Sequence, residues 1–259
     1  MSGDDLADLQ YAKTLLEHPS LAAKITGAIG APIERGLALL PRSASDIISA
    51  ATNRALFTAL DFAVFTMDDR KKDSTNWIHK TLVGVTGAAG GAFGLPALAV
   101  ELPVSTTIIL RSVADIARSE GDQIRSLDAK LACLEVFAFG GPSKSDDATD
   151  AGYFAVRAAL SKALSDAAEY IAKHGIVKNT APPLMRFVTQ VAARFGIPVT
   201  EKAIAQSLPL VGAAGGALIN TMFIDHFQSI SRGHFIVRRL ERTYAPDIVK
   251  DEYLKLPSK

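Results

Sequence analysis

Between Leu82 and Val100 the chain runs for nineteen residues without a charge, and five of them are glycines: Gly84, Gly87, Gly90, Gly91 and Gly94. Five more are alanines. The segment continues through Glu101, its one charge, to Leu110, and a shorter echo, LVGAAGGALIN, returns at Leu210–Asn220. Glycine inside a helix costs ~1 kcal/mol against alanine, so such a concentration needs a geometric reason. Gly87 and Gly91 are four residues apart, as are Gly90 and Gly94, and Gly212 and Gly216. That spacing lays bare backbone along one stripe of a helix and lets a second helix approach closely. The two runs are therefore expected to form close helix crossings at Gly87, Gly91, Gly212 and Gly216, with each other or with neighbours.

Two environments can hold the first run. As a helix, nineteen uncharged residues would span ~28 Å, near the thickness of a bilayer's hydrocarbon. Pro96 and the glycines suit a re-entrant hairpin, with Glu101 at its tip, better than a plain span. The other environment is a buried pair of core helices, and this is the expected one. Lys and Arg number 28 against 27 Asp and Glu, so no overall field draws in nucleic acid. Arg238, Arg239 and Arg242 form a local basic group of the kind that usually serves a helix end. The single Cys133 lies in an apolar helical pattern and reads as a small buried hydrophobe. The acidic start, MSGDDLADLQ, has no apolar core of a secretory signal, so the expected location is the cytoplasm, peripheral to the inner membrane if lipid is bound.

Read in order, the chain is a succession of helices. Residues 4–17 form a short amphipathic helix, followed by helices to about Gly30 and from Pro32 to Pro41. A longer one runs from Ser43 or Ser45 to Met67, with Ile47, Ala51, Ala55, Ala59 and Ala63 on one stripe. Pro96 and Pro103 are expected to break the next region into a kinked helix, a connector and a helix from Val104 to Glu120, closed by Gly121. Helices follow over 126–139 and 153–174, separated by the polar PSKSDDATD. Gly196-Ile197-Pro198 should end the helix that starts at Pro182-Pro183, with Thr200 capping a short successor. From Leu210 to Tyr244 the pattern is helical almost throughout, with a bend expected at Gly233, and Pro246 opens a last helix to 255. Nothing alternates with period two. The fold class is all-α: one multi-helix domain spanning 1–259, with N-terminal helices in 1–74 and a core in 75–259 built around two closely packed glycine-rich helices.

Catalytic signatures are missing from the sequence. No Gly-Lys-Ser/Thr follows the glycines, and there is no GxGxxG, GxSxG or HExxH. His18, His79, His174, His226 and His234 have no metal-ligand spacing, so neither metal nor cofactor is expected. What stands out is a set of polar residues in apolar surroundings, chiefly Glu101, Asn220, Asp225 and His226, with Arg111, Asp115 and Glu135. Arg111 and Asp115 are four apart and can pair. His234 and Glu241 are seven apart on one helical face. Asn220 and His226 lie 120° apart on an ideal helix, so a pocket there needs a second element. The break expected at Glu101 supplies one, which gives a candidate ligand pocket of Glu101, Asn220, Asp225 and His226.

VTGAAGGAFGLPALAVELPVSTTIILRSVADIARSEG, ACLEVFAFGG, RFGIPVTEKAIAQSLPLVGAAGGALINTMFIDHFQ and GHFIVRRLERTYAPDIV occur in that order. Together they resemble the EcsC family of bacterial proteins over about Trp77 to Tyr253. The chain departs from the family pattern at Ala245, where a glycine is expected after the tyrosine. The resemblance implies a bacterial, helical, non-secreted protein and supplies no mechanism. The family takes its name from linkage to an ABC-transporter operon. The "peptidase" label that some relatives carry finds no metal motif or nucleophile elbow here. Three readings stay open: a protein that binds an apolar ligand, a lipid or membrane surface or a partner helix; a hydrolase using the Glu101/Asp225/His226 region; and a structural subunit forming homo-oligomers through small-residue faces.

Overall fold

Among the described residues, the longest helix is the element on which the others are assembled. In the computed structural model, which describes residues 1–17, 21–30, 33, 41–66, 95–140, 152–174, 181–207 and 212–257, this helix is α8, Gly212–Tyr244. At ~1.5 Å per residue its 33 residues extend ~50 Å. The other α-helices are α1 (Gly3–Leu16), α2 (Leu21–Ile29), α3 (Arg42–Thr66), α4 (Leu95–Ser119), α5 (Leu127–Glu135), α6 (Gly152–His174), α7 (Pro182–Ser207) and α9 (Pro246–Lys255). A 3-10 turn, Val136–Ala138, extends α5. The described residues contain no strand, and the fold is one all-α domain. Helix α8 packs against α1, α2, α4, α7 and α9, while α3 lies across α4 and α7.

Several ends form as the sequence requires. The Ser2 side chain accepts the Asp5 amide at the start of α1, and Ser126 accepts that of Ala129 at the start of α5. Gly121, with φ at 87°, closes α4, and the Asp122 amide then reaches back to the Ala117 carbonyl.

The prolines behave differently from expectation. Helix α4 continues through Pro103, and α7 continues through Pro198. An interior proline removes the ladder bond to the carbonyl four residues back, here Ala99 and Arg194, and typically costs ~3 kcal/mol. Each proline is followed by Val and then a hydroxyl residue. Ser105 donates to the Leu102 carbonyl at 3.2 Å, and Thr200 donates to that of Gly196 at 2.6 Å. Thr107 adds a bond to the Pro103 carbonyl. Both prolines are buried, so packing holds the chain helical across them.

Helix α8 continues through Gly233. That residue is where α1 crosses α8: a Cβ there would lie 2.8 Å from Leu16 Cγ and 3.0 Å from the Ala12 carbonyl oxygen. Gly87 and Gly91 fall outside the described residues, as does the helix expected from Ser74 or Thr75. Gly212 opens α8, and Gly216 is buried within it.

The rungs between α4 and α8 fix their direction. Glu101 bonds Asn220, Ser112 bonds Gln228, and Glu120 bonds Arg239. Numbers rise together on both helices, so they run parallel. Their N-terminal ends, which the two glycine-rich segments enter, therefore lie at the same end of the molecule. The 3-10 turn, α7 and α8 meet through the rings of Phe137, Phe195, Phe223 and Phe227, which pack at centroid separations of 4.9 to 6.0 Å. No described helix is long and apolar enough to cross a membrane.

Candidate functional site

Near that shared end, three helices each turn a polar side chain inward. On α4, Glu101 sits on the buried stripe with Leu98, Leu102 and Ser105. On α7, the uninterrupted helix carries the stripe of Phe195 and Val199 on to Lys202, which is fully buried. On α8, Asn220 is fully buried. The Lys202 ammonium bridges both Glu101 oxygens, at 2.8 and 3.0 Å, and lies 4.8 Å from the centre of the Phe223 ring. The Asn220 amide donates to Glu101 Oε1 at 3.2 Å, and Gln206 donates to Asn220 Oδ1 at 3.4 Å. The group is a buried ion pair with an amide relay, clasping α4, α7 and α8. The neighbouring Glu201 turns the other way and accepts the Ala22 amide, capping α2.

Of the four pocket residues read from the sequence, Glu101 and Asn220 meet directly. His226 is directed elsewhere on α8: its Nε2 lies 2.8 Å from the Gly140 carbonyl oxygen. Only a glycine fits at that turn, since a Cβ on residue 140 would lie 2.6 Å from the Phe227 ring. Asp225 faces Lys24 of α2. Burial lowers the Lys24 pKa, and the Asp225 charge partly restores it. Lys202 and Gln206, which the sequence did not single out, complete the clasp.

A second polar group lies further along α8. Tyr153 and Arg157, one turn apart on α6, meet His234 and Glu241 on α8. The Tyr153 hydroxyl is 2.8 Å from His234 Nδ1, and Arg157 holds Glu241 through two bonds at 2.6 and 2.9 Å. The facing residues His234 and Glu241 thus take separate partners. Glu135 is buried nearby, and that burial raises its pKa to about 7 against the pull of Arg157 and Arg238. Arg111 lies over the Phe62 ring, while Asp115 pairs with Arg118. The basic group is spoken for: Arg238 meets Asp122 and Asp128, Arg239 meets Asp8 and Glu120, and Arg242 meets Asp122. Cys133 is fully buried, and burial pushes its thiol pKa up. The described residues hold no group of three or more metal-ligating side chains.

An open groove of about 440 Å³ lies between α3 and α7, lined by Ser45, Ser49, Asn53, Thr189, Gly196 and Thr200. The Asn53 amide and the Thr200 hydroxyl are already bonded to carbonyls of their own helices.

The model of the EcsC protein family matches residues 10–240. The chain belongs to that family. The match includes the second half of α1 and all of α2, which lie ahead of the blocks that carry the resemblance in the sequence, and it stops before α9. Both polar groups of this EcsC protein lie within it, apart from Glu241. No curated protein and no solved structure matches the chain.

Proposed function

We propose that this EcsC protein binds a lipid surface, weakly and reversibly, through the end at which α4 and α8 begin. The observation that carries the reading is the uncharged, apolar character of that end. Val100 and Val104, one turn apart on α4, are 71% and 46% exposed, and Leu218 on α8 is 45% exposed. Over 95–104 and 212–220 the only charged residue is Glu101, and it is buried against Lys202. Placing this end against a bilayer therefore desolvates no exposed charge among those residues. Burying the three side chains would yield ~3 kcal/mol, which is about a hundredfold in partition and suits a peripheral association. The Asn220–Glu101 bond ties the two helix starts together, and Lys202 fixes Glu101 from α7.

Flotation with vesicles of phosphatidylethanolamine and phosphatidylglycerol tests the reading. The protein should float with lipid, and the Val100→Glu/Val104→Glu variant should remain at the bottom. Failure of the unaltered protein to float at any lipid concentration would refute lipid binding and favour a partner helix or a second copy of the chain.

A further inference from the structure

Helix α9 joins α8 through Ala245, whose backbone has φ of 71° and ψ of 148°. Among the described residues it is the only non-glycine with positive φ. That region is nearly exclusive to glycine, and an L-residue stays there only when its surroundings hold it. The holding contacts are few. Helix α9 buries Val249 and Tyr253 alone. At its far end, Lys13 of α1 donates to the carbonyls of Tyr253 (3.2 Å) and Leu256 (2.7 Å) from a position 1% exposed. The Gln10 amide adds a bond to the Pro257 carbonyl at 3.3 Å.

Beneath α9, the Tyr253 ring lies 5.1 Å from Phe154 and 6.1 Å from Tyr153. Tyr153 is the bonding partner of His234, which has no exposed surface and whose Nε2 is buried without a hydrogen-bond partner. A buried polar atom left unsatisfied is costly and marks a place where the closed packing is not optimal.

We propose that α9 is a detachable strap. It undocks about Ala245, releasing the strained backbone and the Lys13 clamp, and opens the Tyr153–His234 pair to solvent. Closed, the strap seals a neutral phenol–imidazole pair; open, it presents a proton donor and acceptor along with the unsatisfied His234 nitrogen.

Hydrogen exchange read by mass spectrometry, together with diethyl pyrocarbonate labelling of His234, tests this on the full chain. Amides of α9 should exchange faster than those in the middle of α8. Ala245→Gly should slow α9 exchange several-fold by relieving the strain, and should slow His234 labelling in step. Lys13→Met should speed both by about tenfold while α7 amides stay unchanged. The strap is overturned if α9 exchanges at the rate of α8 and Ala245→Gly changes neither reading, or if α9 and His234 respond independently. A Lys13→Met protein that speeds exchange uniformly, α7 included, counts against it too. Should Lys13→Met fail to fold, Ala245→Gly decides alone.

Discussion

Removing one partner of the Glu101–Lys202 pair should be among the most damaging single changes in the protein. The Lys202 side chain is fully buried and that of Glu101 is 6% exposed, so water can replace little of what either loses. In Lys202→Met, the packing volume is nearly kept, but Glu101 is left with the single Asn220 bond at 3.2 Å. Breaking a buried pair from one side typically costs 3–5 kcal/mol, and at ~2–4 °C per kcal/mol for a chain of this size the melting temperature should fall by about 10 °C. Glu101→Gln should cost less, because the amide oxygen can still accept from Lys202 or Asn220. The double variant, Glu101→Gln/Lys202→Met, carries no buried charge and should be more stable than Lys202→Met alone, with a coupling of about 2 kcal/mol. Urea unfolding followed by circular dichroism measures all three. Single-variant costs below ~1 kcal/mol, or strictly additive effects, would refute the clasp.

Two glycines make a matched pair: Gly233→Leu should destabilise by ~1–3 kcal/mol because its Cβ meets α1 backbone, while Gly196→Ala, with open space around it, should stabilise by ~0.5–1 kcal/mol. Thermal melts of both read the contrast. Glu135 gives a pH dependence. Its pKa is about 7 when folded against an ordinary 4.5, so the folded state holds more protons in that window and stability falls as pH rises through it. At ~1.4 kcal/mol per pH unit the fall approaches ~3 kcal/mol by pH 8, and Glu135→Gln should abolish it in urea midpoints measured from pH 4.5 to 8.

Helix identity was legible wherever period and caps agreed, as in α1, α3, α6 and α9, with the start at Ser126 and the stop at Gly121. Helices α4 and α7 were not legible across Pro103 and Pro198, because a proline's local cost is visible in sequence whereas the burial that holds the helix across it depends on the folded chain. The break expected at Pro198 hid Lys202. A helix starting at Thr200 has no stripe to carry Lys202 inward; on an uninterrupted helix, Lys202 continues the Phe195–Val199 stripe into the core. Glu101 and Asn220 were legible as polar residues in apolar runs. His226 was legible as buried but not as the partner of Gly140, a contact made where the chain leaves the 3-10 turn after α5. Gly233 shows the close approach expected of the glycine runs, at a position whose spacing gave no sign of it.

The central claim, that the end where α4 and α8 begin meets lipid, is tested most directly by a local probe. An environment-sensitive fluorophore attached at Val100→Cys reports that end, and one at Lys250→Cys, exposed on α9, reports the other; buried Cys133 should stay unlabelled. The account predicts a blue-shifted, brighter emission at position 100 on adding phosphatidylethanolamine and phosphatidylglycerol vesicles, with no change at position 250. No shift at position 100, or equal shifts at both, would contradict it.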